Sequence, residues 1–132
     1  MNLEWRGEQR LAVHADGAEI VLDGAGRAGP TPVQTLGSAL AGCMAIDLVH
    51  ILTKGRFPVR GLRVTLSADR AAEEPRRLER VRLRFEIDTD APADRIESAL
   101  ALSREKYCSV WHSMRTYIDL DVMYERVNAR PD

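Results

Sequence analysis

Two side chains in this sequence are of a type able to carry redox or nucleophilic chemistry, Cys43 and Cys108, and they stand 65 positions apart in a chain of 132 residues. Asp47 follows Cys43 by four residues and His50 by seven, so at about 100° per residue both lie within about 40° of Cys43 and the three share one helix face. His112 follows Cys108 by four residues and faces it if that segment is helical. A Cys-Asp-His relay fails on distance. Seven residues place Cys43 and His50 about 10 Å apart along a helix axis, too far for direct proton transfer, and a carboxylate near a thiol disfavours the thiolate. Zinc accepts Cys, Asp and His, but no fourth ligand is visible, and neither a metal nor another cofactor is expected. Thiol chemistry by the pair is left, set against the plainer alternative that both cysteines are packed, inert thiols. Cys43 lies among Leu36, Ala39, Leu40, Met44 and Ile46, an apolar setting that raises a thiol pKa. Cys108 falls where one helix ends and another begins, and N–H groups in a first helical turn would favour its thiolate. Separation along the chain leaves open whether the two meet.

The elements that must position them read clearly. Leu3 and Trp5, Leu11 and Val13, then Ile20 and Leu22 alternate with polar residues around Gly7-Glu8 and Asp16-Gly17, which predicts three short antiparallel strands. Asp23 to Pro30 holds three glycines and a proline in eight residues and must be loop. Thr31-Pro32-Val33-Gln34 then opens a helix, with a Thr cap, Pro at the first helical position and Gln at capping-box spacing. It should run from Pro32 to Thr53 or Lys54, stopped by Gly55 and Pro58. From Ala39 to Leu52 only Asp47 and His50 are strongly polar, so the helix is expected to be buried nearly all round. At about 1.5 Å per residue it spans about 33 Å. One chain has little material to wall such a helix, which predicts a dimer with a shared core.

Two long strands should follow, Val59–Arg70 and Arg76–Asp88. In the second, Val81, Leu83, Phe85 and Ile87 alternate with Arg80, Arg82, Arg84 and Glu86, giving a core face and a solvated basic stripe. Asp90-Ala91-Pro92-Ala93 caps a second helix to about Tyr107, with Ile96, Leu100 and Tyr107 turned inward. A short helical piece holds Cys108, Val110, Trp111 and Met114, and Tyr117 to Val127 returns as a strand. The order β-β-β-α-β-β-α-β describes a single α+β domain over residues 1–132.

Composition narrows the function classes. The chain is 45% hydrophobic and 30% charged, with 19 basic against 20 acidic residues, which argues against disorder and against a nucleic-acid footprint. No run approaches 18 uninterrupted apolar residues, and Met1 to Arg6 lacks the apolar core of a signal peptide, so no membrane partner and a cytoplasmic location are expected. Two cysteines in a reducing compartment do not make a disulfide framework.

Three motifs carry a likeness. Thr31-Pro32-Val33-Gln34-Thr35-Leu36, Ala39-Leu40-Ala41-Gly42-Cys43 and Glu105-Lys106-Tyr107-Cys108-Ser109-Val110 resemble the OsmC/Ohr family of thiol peroxidases. Cys43-Met44-Ala45-Ile46-Asp47-Leu48-Val49, Lys54-Gly55-Arg56 and Glu74-Pro75-Arg76 resemble its YhfA-like branch, so the likeness covers essentially the whole chain. It implies an intertwined homodimer whose long buried central helices are wrapped by antiparallel β-sheets. It also implies that Cys43 is the peroxidatic cysteine and Cys108 the resolving one, joined in a disulfide after attack on an organic hydroperoxide. A dithiol such as a lipoyl group, or small thiols, would reopen that disulfide, and the role would be oxidative-stress defence. Leu40, Met44, Trp111 and Met114 would then be apolar walls for fatty or aromatic hydroperoxides.

Two departures from the family pattern bear on rate. Active members hold the thiolate with a Glu in the first turn of the central helix and an Arg from the N-terminal region. Here the position nine residues before Cys43 is Gln34, which cannot form the carboxylate ion pair but can accept a hydrogen bond from a guanidinium. Arg6, Arg10 and Arg27 are all in reach for the Arg role, and none sits in a deciding motif. Slower peroxidase chemistry is the expected consequence. The alternatives are a protein of this fold that binds an apolar ligand with weak or no peroxidase activity, and a structural domain whose thiols stay unreactive until denaturation.

Overall fold

Alternation at the N-terminus builds an antiparallel sheet in the order β1 (Asn2–Trp5), β2 (Arg10–Ala15) and β3 (Ala18–Asp23). The hairpin between β2 and β3 turns on Asp16 and Gly17, both at positive φ, as a two-residue turn that follows the strand twist requires. Register places Leu3 beside Val13 and Val13 beside Ile20, and Trp5 beside Leu11 and Leu11 beside Leu22, so one face of the sheet is an apolar panel. Leu3, Trp5 and Ile20 on that panel are half-exposed or more. The glycine-rich loop after β3 is organised by the buried Asp23 carboxylate, which accepts the N–H groups of Ala25 (2.9 Å), Arg27 (3.3 Å) and Ala28 (2.9 Å). These bonds, Ala28 first, hold its pKa below the usual carboxylate range.

The computed structural model describes residues 1–127, in two compact units, one from Met1 to Ser38 and one from Ala39 onward. Helix α1 (Pro32–Lys54) begins in the first. Its start is the predicted capping box in full: Gln34 N–H donates to Thr31 Oγ1 (3.1 Å), and Thr31 N–H donates to Gln34 Oε1 (3.0 Å).

In the second unit the strands β4 (Val59–Arg70), β5 (Leu78–Thr89) and β6 (Asp119–Arg126) pair in that order. Helix α2 (Ala93–Leu102), a π-helical turn (Ser103–Tyr107) and the short α3 (Ser109–His112) lie between β5 and β6. The element order matches the sequence reading, and the architecture is α+β. Three expectations need correction. The sheets are not wholly antiparallel, because β6 pairs parallel to β5: the helical crossover carries the chain back before β6 begins. The second helix does not continue as α-helix to Tyr107, and that π-helical turn leaves Tyr107 half-exposed rather than inward. Finally, α1 is not buried all round within one chain. Leu40, Met44, Leu48 and Leu52, each four residues after the last, form its one fully buried stripe, whereas Ile46 is 71% exposed. Only 28% of the helix's most apolar 18-residue stretch is buried, so the other apolar face has no cover from this unit.

The core of the second unit runs from that stripe to Val81, Leu83, Phe85 and Ile87 on β5 and to Ile96, Ala99 and Leu100 on α2. Phe85→Ala is expected to lower unfolding free energy by about 3–5 kcal/mol, read as a reduced denaturant midpoint with unchanged m. On the opposite face of β5 the arginines are not a free basic stripe. Arg82 pairs with Asp69 (2.8 Å), Arg80 with Asp119 (3.5 Å), and Arg84 with Glu125 and with Glu86 (3.1 Å). Exposed pairs like these contribute little stability each, but they cancel the local positive field a polyanion needs.

Candidate active site

Cys43 occupies the middle of α1, part-exposed, one residue before the buried Met44. Cys108 arrives beside it by a local change in helix winding. After Leu102 the chain widens into the π-helical turn, in which Cys108 N–H donates to Ser103 O (2.7 Å), five residues back. Cys108 itself leaves helical geometry, at φ −73° and ψ 96°, and serves as the N-cap of α3. This re-aims the chain, and the two thiols come close enough to shift each other's ionisation.

Their environments differ in the direction that matters for thiol chemistry. The N–H of Val110, in the first turn of α3, donates to Cys43 and is the largest influence on it. The side chains of Cys108 and Ser109 add hydrogen bonds, and together these outweigh burial and the nearby Asp47 charge, so the Cys43 pKa falls below its ordinary value of 9.0. Cys108 is fully buried and receives Trp111 N–H at 3.4 Å. Burial dominates there, and with Cys43 and Asp47 adding to it the Cys108 pKa is pushed up to about 11. The arrangement therefore favours the thiolate at Cys43 and keeps the proton on Cys108. Iodoacetamide labelling checks this. Thiolate fraction grows as pH rises through a thiol's pKa, so Cys43 labelling should rise with a midpoint below pH 9.0, while Cys108 stays protected until about pH 11.

The surrounding residues sort plainly. The α3 N–H groups expected to favour the Cys108 thiolate are divided: Val110 serves Cys43 and Trp111 serves Cys108. Sequence reasoning named neither Val110 nor Ser109 as a partner of Cys43, and nothing in their residue types or spacing signals it. The Asp47 carboxylate receives the Ser103 hydroxyl at 2.8 Å. His112 does not reach Cys108; its Nε2 lies 2.9 Å from Arg104 O. His50 is exposed and lines an open cavity of about 600 Å³ together with Asp47, Ile51, Lys54, Leu102 and Tyr107. Leu40 and Met44 are wholly buried core, not pocket walls, while Trp111 and Met114 are half-buried. Gln34 and the three arginines belong to the first unit. The Gln34 side chain closes the helix cap, Arg6 pairs with Glu4 (3.2 Å) and Arg10 with Glu8 (3.7 Å), and Arg27 donates its backbone N–H to Asp23. Among the described residues no three His, Cys, Asp or Glu side chains are grouped as metal ligands.

The family profile described as OsmC-like protein matches residues 24–123. Protein YhfA of Escherichia coli K12 is 36% identical over 121 residues, covering 90% of each chain. A hypothetical protein from Aquifex aeolicus VF5 superposes with a TM-score of 0.87 at 25% identity, over 96% of this chain and 93% of that one. The organic hydroperoxide resistance protein OhrB of Bacillus subtilis shares the fold, with a TM-score of 0.63 at 16% identity over 94% of this chain and 96% of that one.

Proposed function

From the premise that this chain belongs to the OsmC-like protein family, we propose that it is a thiol-dependent peroxidase that reduces organic hydroperoxides. The observation that carries the reading is the asymmetric thiol pair: Cys43 is part-exposed with a lowered pKa, and it lies beside a buried Cys108 whose pKa is raised. A fold neighbour named as an organic hydroperoxide resistance protein supports the choice of substrate class.

Cys43 is the peroxidatic residue. Its thiolate attacks the distal oxygen of the hydroperoxide, the O–O bond breaks, and the departing alkoxide takes a proton from water to become the alcohol. Cys43 is left as a sulfenic acid, two electrons more oxidised. Cys108 is the resolving residue: its sulfur bonds to Cys43, the hydroxyl leaves, and the Cys108 proton joins it as water. A dithiol or two small thiols then reduce the disulfide by exchange, giving up two electrons and two protons. Val110 N–H and Ser109 favour the thiolate of the attacking sulfur without a carboxylate at position 34, since Gln34 is committed to the helix cap.

The homodimer belongs to the same proposal. The uncovered apolar face of α1, with Ile46 on it, and the exposed panel of Leu3, Trp5 and Ile20 are surfaces that a second copy would cover in an intertwined dimer. Recycling by cellular thiols suits a reducing compartment such as the cytoplasm. The test is turnover: with dithiothreitol in excess, the protein should consume one cumene hydroperoxide per dithiol oxidised. Saturable binding of an apolar probe with no hydroperoxide consumption is the result that favours a ligand-binding protein of this fold instead.

A further inference from the structure

Every polar group of Ser103 is hydrogen-bonded. Its N–H donates back to Ala99 O and Leu100 O, its carbonyl accepts Cys108 N–H at 2.7 Å, and its hydroxyl donates to Asp47 Oδ2 at 2.8 Å. The residue is 0% exposed. A buried helical serine can satisfy its hydroxyl on a carbonyl of its own preceding turn. This one reaches across to another helix instead. Asp47 lies one turn beyond Cys43 on α1, so the bond closes a ring: Cys43, along α1 to Asp47, across to Ser103, down the π-helical turn to Cys108, and back to Cys43.

The ring bears on the second step of the cycle, closure of the disulfide. Cys108 is held protonated, so its attack on a Cys43 sulfenic acid gains little from charge and depends on proximity. The π-helical turn that supplies that proximity makes a single side-chain bond from its first residue to α1, the one to Asp47.

We propose that Asp47 and Ser103 act as positioning residues that hold Cys108 at bonding range of Cys43, through a hydrogen bond and not through the charge of Asp47. The inference rests on the peroxidase reading for its place in the cycle. Neither residue takes part in bond making. The bond between them sets how fast the disulfide closes once Cys43 is oxidised.

The test measures Cys43–Cys108 closure in the full chain, by quenched-flow alkylation and peptide mapping, with Ser103→Ala, Asp47→Ala and Asp47→Asn beside the wild type. Asn keeps an acceptor oxygen for Ser103 and removes the charge. After one equivalent of cumene hydroperoxide, Ser103→Ala and Asp47→Ala should close about tenfold or more slowly, with dimedone trapping Cys43 sulfenic acid in proportion. Asp47→Asn should close within about threefold of wild type. A role in folding alone would shift unfolding midpoints without this division between Ala and Asn. Closure at the wild-type rate in both alanine variants overturns the proposal, and so does Asp47→Asn as slow as Asp47→Ala. Because Asp47 is half-buried on a helix, its two variants carry the test even if Ser103→Ala fails to fold. Diamide, which oxidises a thiol pair without any peroxide, gives the second arm. The same order of variants with diamide in a protein inert to hydroperoxide would keep the clamp and discard the peroxidase; normal hydroperoxide closure in every variant would do the reverse.

Discussion

Cys43→Ser should lose hydroperoxide consumption by at least about a thousandfold, to the background of the reductant alone. The magnitude follows from what the serine oxygen lacks. A thiolate is the attacking species, and the hydrogen bonds from Val110, Cys108 and Ser109 favour that form at Cys43, whereas a serine hydroxyl stays fully protonated at any working pH. Sulfur also accepts the transferred oxygen as a stable sulfenic acid, which the oxygen of serine cannot do. The substitution removes one polarisable atom at a part-exposed site, so the folded structure should persist and the unfolding midpoint should move little. Cumene hydroperoxide consumption against a matched dithiothreitol blank checks it. Wild-type rates in this variant would place the chemistry elsewhere.

Cys108→Ser should separate the two halves of the cycle. The first oxidation proceeds, because Cys43 keeps its Val110 N–H, and one equivalent of hydroperoxide disappears in a burst. The disulfide cannot form. Cys43 sulfenic acid then accumulates, dimedone captures it, and dithiol-supported turnover drops by about a hundredfold because an intermolecular thiol replaces a neighbour already in place. A mass increase of one dimedone adduct per chain, confined to the Cys43 peptide, is the signature. If instead the burst vanishes, Cys108 is needed for the initial attack and the assignment of roles is wrong.

Much of the fold was legible because the periods involved are strong. Alternation named β1 to β3 and the inner face of β5, and the Thr31 cap with Gln34 fixed where α1 starts. Its end followed from Gly55 and Pro58. Other features have no period to read. A π-helical turn inserts one residue without disturbing the apolar pattern, so Ser103–Tyr107 reads as more α-helix, and Tyr107 is assigned the wrong face. Parallel pairing of β6 depends on where a crossover delivers the chain, which strand patterning does not encode. For α1, composition predicts burial on all sides, and one chain covers only the Leu40–Met44–Leu48–Leu52 stripe; the remaining apolar face is what the proposed second copy would cover.

The site divides in the same way. The two cysteines stand out by residue type, and the family motif joins them. Their opposed pKa directions were not legible, because they come from backbone N–H groups aimed by α3 and from burial, neither of which has a sequence symbol. The apolar neighbours of Cys43 suggested a raised pKa, and hydrogen bonds reverse it. Asp47 was read correctly as working against the thiolate, and its bond to Ser103 supplies the reason it sits there.

The most direct measurement is a thiol count on fully reduced protein before and after one equivalent of cumene hydroperoxide, followed by peptide mapping without reductant. The account predicts that free thiols fall from two per chain to none and that one linked peptide pair joins Cys43 to Cys108 within a single chain. Two free thiols left after the peroxide, or a disulfide that links chains through one cysteine alone, would contradict it.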